Sequence, residues 1–139
     1  MKRLVYNKSG EERNRLRNRI AELLHDRKEI IFAYDYGSFA EGAAFHDIDL
    51  GVFVSGLSEV ESIRYMLELS HGASAEFGMP VDVRILNFAP VTFTYHVIQG
   101  DLLVDNDEEI RSQFVEGVIR KYLDLKPRIR MAIKEAFAS

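Results

Sequence analysis

The chain has 139 residues, 47% of them hydrophobic, the size and composition of one compact domain that can bury a single core without added staples. It contains no cysteine, which excludes disulfides and thiolate-bound zinc and leaves oxygen or imidazole as ligands for any metal. A formal net charge of −4 argues against a broad nucleic-acid binder and favours a protein or small-molecule acceptor; with no apolar run of signal or membrane-span length, a cytoplasmic protein is expected.

In chain order, Ser9-Gly10-Glu11-Glu12 reads as a capping box, and Leu16, Ile20, Leu23 and Leu24 then share one face of a helix ending near Arg27. Residues 30–36 switch to β-branched and aromatic side chains and run into Gly37-Ser38, a strand followed by a tight turn. A second strand is expected over residues 48–54, with Asp47 and Asp49 at its start and Gly56 at its end. Ser58 and Glu61 form another capping box, and Val60, Ile63, Leu67, Ser70 and Ser74 recur at helical spacing until Gly78 and Pro80 stop the segment. A third strand alternates, so that Val81, Val83 and Ile85 face one side and Asp82 and Arg84 the other.

Pro90 starts a short helix reaching about Gln99, and residues 102–104 suit an edge strand. Asp105-Asn106-Asp107-Glu108 caps a long last helix buried along Ile110, Phe114, Val118 and Tyr122. Pro127 is expected to kink or split it before Ile129, Ile133 and Phe137 continue the apolar stripe. With no repeat or linker, residues 1–139 read as one domain: an N-terminal helix over 1–28, a core over 30–105 and a helical segment over 106–139.

The chemistry lies in the acids. Asp47 and Asp49 sit two apart, so on a strand they leave the same face roughly 7 Å apart at the backbone. Such a pair repels itself unless protonation, a cation or a cationic side chain offsets the charge, and hard oxygen ligands favour magnesium or manganese. Gly37 and Ser38 offer backbone donors and a hydroxyl to a phosphate at the neighbouring turn. Asp82, if its strand lies alongside, completes a set of three carboxylates able to hold two ions. His46 reads as a solvated neighbour of Asp47, and His25, His71 and His96 lack metal-ligand spacing. Arg84 is expected to make a structural ion pair with a carboxylate.

Gly37-Ser38, eight intervening residues, Asp47-Ile48-Asp49-Leu50 and the downstream Val81-Asp82-Val83 together resemble the polymerase-beta-like nucleotidyltransferase superfamily in its minimal, single-domain form. The stretches Gly100-Asp101-Leu102-Leu103 and Tyr122-Leu123-Asp124-Leu125-Lys126-Pro127 are similar to the tail of minimal nucleotidyltransferase antitoxins that pair with HEPN toxins.

This resemblance implies an α/β fold with a small mixed sheet flanked by helices and a long C-terminal helix. It also implies that Asp47, Asp49 and Asp82 bind two magnesium ions, that Gly37 and Ser38 contact the triphosphate of ATP, and that adenylyl is transferred to a tyrosine of a HEPN partner. Two departures from the family pattern are visible: the interval from Ser38 to Asp47 is short, and Glu41 stands where a basic residue is common. The alternatives are a non-catalytic antitoxin that masks its HEPN partner by binding, and a small-molecule-modifying enzyme, which the short chain disfavours.

Overall fold

The structure, a computed structural model, describes residues 4–138; residues 1–3, the start of the basic amino terminus, and residue 139 lie outside it. Ser9 accepts from the Glu12 amide at 3.1 Å while the Glu12 carboxylate accepts from the Ser9 amide at 3.0 Å, and this reciprocal cap starts α1 (Gly10–His25). Leu16, Ile20 and Leu24 bury its inner face.

Next come β1 (Ile30–Tyr36) and β2 (Ile48–Val54), at the bounds that their β-branched and aromatic runs predict, then α2 (Glu59–Phe77) and β3 (Val81–Ile85). They are followed by α3 (Val91–Val97), β4 (Asp101–Asp105) and α4 (Glu108–Ala136). The strands form one sheet in the order β3-β2-β1-β4, parallel between β2 and β3 and antiparallel elsewhere. The expected small mixed sheet, flanking helices and long last helix are all present.

One sheet face presents Ala33, Leu50, Val52 and Val83 to Ile20 and Leu24 of α1 and to Leu69 and Ala73 of α2. The other gathers Phe32, Tyr34, Tyr36, Leu86 and Val97, closed by Phe114 of α4. Phe32 stacks on Phe53 with ring centres 5.0 Å apart, and Phe53 meets Phe114 at 4.9 Å.

Three sequence expectations need correction: of the face expected to be buried along α4, Val118 is buried, Phe114 and Tyr122 are half-buried and Ile110, in the first turn, is exposed. The core face of α2 is Ser62, Leu69, Ala73 and Phe77, whereas Val60, Ile63 and Leu67 are exposed. Both sets recur at helical spacing, and what selects between them is the edge of the sheet. The Ser74 hydroxyl accepts from the Val81 amide at 2.8 Å and the Ser70 hydroxyl accepts from the Val83 amide at 3.0 Å, so these serines satisfy β3 amides at the strand's edge. In addition, Pro127 does not split the last helix, since α4 is continuous across it. Pro127 and Leu123, the residue whose carbonyl loses its helical donor, are both exposed, so solvent offsets the missing bond.

Candidate active site

Three strand ends meet on the sheet face that carries Tyr36. Residues opposite each other in paired strands share a face, and Tyr36 is opposite Asp49 across the β1–β2 pairing while Asp49 is opposite Asp82 across the β2–β3 pairing. Asp47 lies in the bend just before β2, near enough for its charge to act on Tyr36. The three carboxylates are half-buried.

Beyond Tyr36 the chain turns through Gly37, whose φ of +79° lies in the left-handed region. A Cβ placed there would stand 2.8 Å from the Asp49 carboxylate, so glycine is what lets the turn close over that acid. Ser38 follows and is exposed. The structure therefore sets Asp49 and Asp82 in register with Gly37 against Asp49, while Asp47 lies in the bend just before β2 and Ser38 follows the glycine in the turn.

The electrostatics agree. Burial pushes the Tyr36 hydroxyl well above its ordinary value, and the negative charges of Asp49, Asp82 and Asp47 push it further, with Arg84 opposing. One buried phenol thus senses all three acids. Arg84 lies 3.3 Å from Asp82, the ion pair expected from their spacing, and both side chains are partly exposed.

The donor set fits a hard divalent cation: oxygen ligands, two of them in direct register, with a glycine removing the side chain that would crowd Asp49. Among the described residues, no three acid, imidazole or thiol side chains are gathered closely enough to hold an ion as they stand. Asp82 is instead drawn to Arg84 at 3.3 Å.

Two concavities flank the acids. A cavity of about 240 Å³ beside the turn is lined by Tyr36, Gly37, Glu41, His96, Gln99 and Asp101. A more apolar groove of about 440 Å³ runs past Arg84, between Ile63 and Met66 of α2 and Phe88 and Phe93 on the other side. Sequence reasoning missed His96, whose ring meets Tyr36 edge-on at 5.6 Å. Its helical spacing carries no sign of that neighbour. His46 is exposed, its Nδ1 2.9 Å from the Leu4 carbonyl oxygen, in keeping with a neighbour of the site rather than a member of it.

The polymerase beta nucleotidyltransferase family profile matches residues 18–109, which include every strand and all five of these residues. The chain belongs to this nucleotidyltransferase family. Among solved structures it is similar to a chain from the complex of a tri-AMPylated Shewanella oneidensis HEPN toxin with its MNT antitoxin, at 21% identity and a TM-score of 0.71 over 91% of this chain and 99% of that one. A toxin-antitoxin structure with AMP-PNP matches at 22% identity and a TM-score of 0.72, covering 88% of this chain and 98% of the other. A MntA-HepT toxin-antitoxin structure matches at 20% identity and a TM-score of 0.70, covering 90% and 99%. These likenesses establish the fold. A comparison with curated protein sequences finds no match.

Proposed function

We propose that this chain transfers adenylyl from ATP to a tyrosine hydroxyl of a HEPN toxin and thereby acts as its antitoxin. The observation that carries the reading is the register of Asp49 against Asp82 with Gly37 folded over Asp49, inside a nucleotidyltransferase fold. The nature of the acceptor is supported by the structural neighbours, one with a tri-AMPylated HEPN toxin and one with an ATP analogue.

In this reading Gly37 and Ser38 receive the triphosphate and orient its α-phosphorus toward Asp82. The acceptor oxygen attacks that phosphorus in line, an O–P bond forms, and the bond to pyrophosphate breaks. Asp82 directs the hydroxyl, whose proton leaves to the carboxylate or to water. Two magnesium ions, or manganese, on Asp47, Asp49 and Asp82 would neutralise the triphosphate and favour the attacking oxyanion. The cytoplasm, where ATP and such a partner meet, is the matching compartment, and none of the described helices is long and apolar enough to cross a membrane.

A second reading, masking of the partner by binding alone, draws on Glu41, which lines the cavity beside Gly37 and would repel a triphosphate there. The two readings separate when the chain and its HEPN partner receive ATP labelled on either the α- or the γ-phosphate, with magnesium. Adenylyl transfer retains the α-label on the partner and releases the γ-label. Retention of neither, with the complex intact, supports masking and contradicts the transferase reading.

A further inference from the structure

The turn that would receive the triphosphate is held from outside the sheet. Arg13 of α1 is buried, 5% exposed, and its guanidinium donates to three backbone carbonyls: Lys8 at 3.0 Å, Phe39 at 3.0 Å and Ala43 at 2.6 Å. It also lies over the rings of Phe39 and Phe45, 5.7 and 5.1 Å from their centres. One helical turn later, Arg17 stacks on Phe39 at 5.3 Å and donates through Nε to Asp35 at 2.9 Å. Asp35 is fully buried, and its other carboxylate oxygen has no hydrogen-bond partner among the described residues.

These contacts bracket the turn. Asp35 lies two residues before Gly37, and Phe39 and Ala43 lie after Ser38. The loop passes the constraint inward, because the Ala43 amide donates to the Ser38 carbonyl at 3.0 Å and the Glu41 amide donates to the Gly37 carbonyl at 3.0 Å. Arg17 also reaches Asp101 at 3.5 Å, on the rim of the adjoining cavity. A short loop between Ser38 and Asp47 has little slack, so where its carbonyls are pinned sets where Gly37 and Ser38 can stand.

We propose that Arg13 and Arg17 are positioning residues for nucleotide transfer: from neighbouring turns of α1 they brace the Gly37–Ser38 turn on both sides and fix the shape that receives the triphosphate. The inference rests on the nucleotidyltransferase reading above. The chemistry explains why arginine is used, since a planar guanidinium can donate to three carbonyls in different directions whereas lysine offers a single point charge.

The test is Arg13→Lys and Arg17→Lys, with Arg15→Lys as the control on the exposed face of the same helix, where Arg15 pairs with Glu11. Hydrogen exchange, Mg·ATP affinity by calorimetry, and KM and kcat with the co-purified partner are measured on the full chain. In Arg13→Lys the Glu41 and Ala43 amides exchange faster while those of β2 keep their protection, which shows that the variant folds. The dissociation constant and KM for Mg·ATP rise about tenfold, with kcat at saturating ATP held within about twofold. Arg17→Lys gives the same split, and Arg15→Lys behaves as wild type.

A purely structural role would speed exchange yet leave the ATP constants equal to those of Arg15→Lys, and that result overturns the proposal. Unchanged exchange at Glu41 and Ala43 also overturns it. A wild-type chain that binds no Mg·ATP would sink the proposed function itself, a failure visible before any variant is made.

Discussion

Asp49 and Asp82 stand opposite each other across the parallel β2–β3 pairing, and Gly37 closes over the first of them. If these acids and Asp47 hold the metal ions, Asp47→Asn with Asp49→Asn should lower adenylyl transfer by about a thousandfold or more, equivalent to about 4 kcal/mol of transition-state stabilisation. The fold should stay intact, because Asn matches Asp in size and opens no cavity. Transfer near the wild-type rate in this variant would exclude the carboxylate mechanism.

Gly37→Ala tests the closure. A left-handed φ costs a non-glycine residue about 1–2 kcal/mol, and the added Cβ also meets the Asp49 carboxylate at 2.8 Å. Denaturant unfolding should show a loss of that order, accompanied by weaker Mg·ATP binding. A variant as stable and as active as wild type would show that the turn is free to open.

Glu41 distinguishes this chain from the basic pattern expected of its family, and it borders the cavity next to Gly37. Glu41→Arg replaces a repulsive charge with an attractive one, so the KM for ATP should fall several-fold, and the effect should shrink as added salt screens the charge. An unchanged KM at low salt would mean that the carboxylate points away from bound phosphate.

Tyr36 supplies a pH signature. Its hydroxyl is raised above the ordinary value of 10.0 by burial first and by the neighbouring acids second. Because the folded value is the higher one, the associated stability is fully present below pH 10 and is lost as pH rises through the folded value. Just above pH 10 the unfolded chain releases a proton that the folded chain keeps, a slope of about 1.4 kcal/mol per pH unit. Tyr36→Phe should remove that slope from the stability profile. Parallel profiles for the two proteins would mean that the phenol is not held neutral.

Much of the fold is readable from residue patterns. Reciprocal Ser–Glu caps mark the starts of α1 and α2, and clusters of β-branched and aromatic residues ending at Gly37 and Gly56 delimit β1 and β2. The acid pair is readable at the start of a strand, although Asp47 stands in the bend before β2, where strand parity no longer fixes its direction. What parity leaves open is which strand lies alongside: the parallel register that sets Asp49 against Asp82 depends on α2 crossing back over the sheet. The face of α2 is open in the sequence because Val60, Ile63 and Leu67 recur at helical spacing as well as Ser62, Leu69, Ala73 and Phe77, and only the placed sheet selects between them. Arg13, Arg17 and His96 act through partners distant in the chain, and no local spacing reveals those.

The most direct measurement is intact mass spectrometry of a co-purified HEPN partner after incubation with this chain, ATP and magnesium, with Asp82→Asn in parallel. The account predicts that the partner gains one or more adenylyl masses, that the gain requires the metal, and that Asp82→Asn abolishes it while the complex still forms. A partner that keeps its mass while remaining bound to the wild-type chain would contradict adenylyl transfer and leave masking as the function.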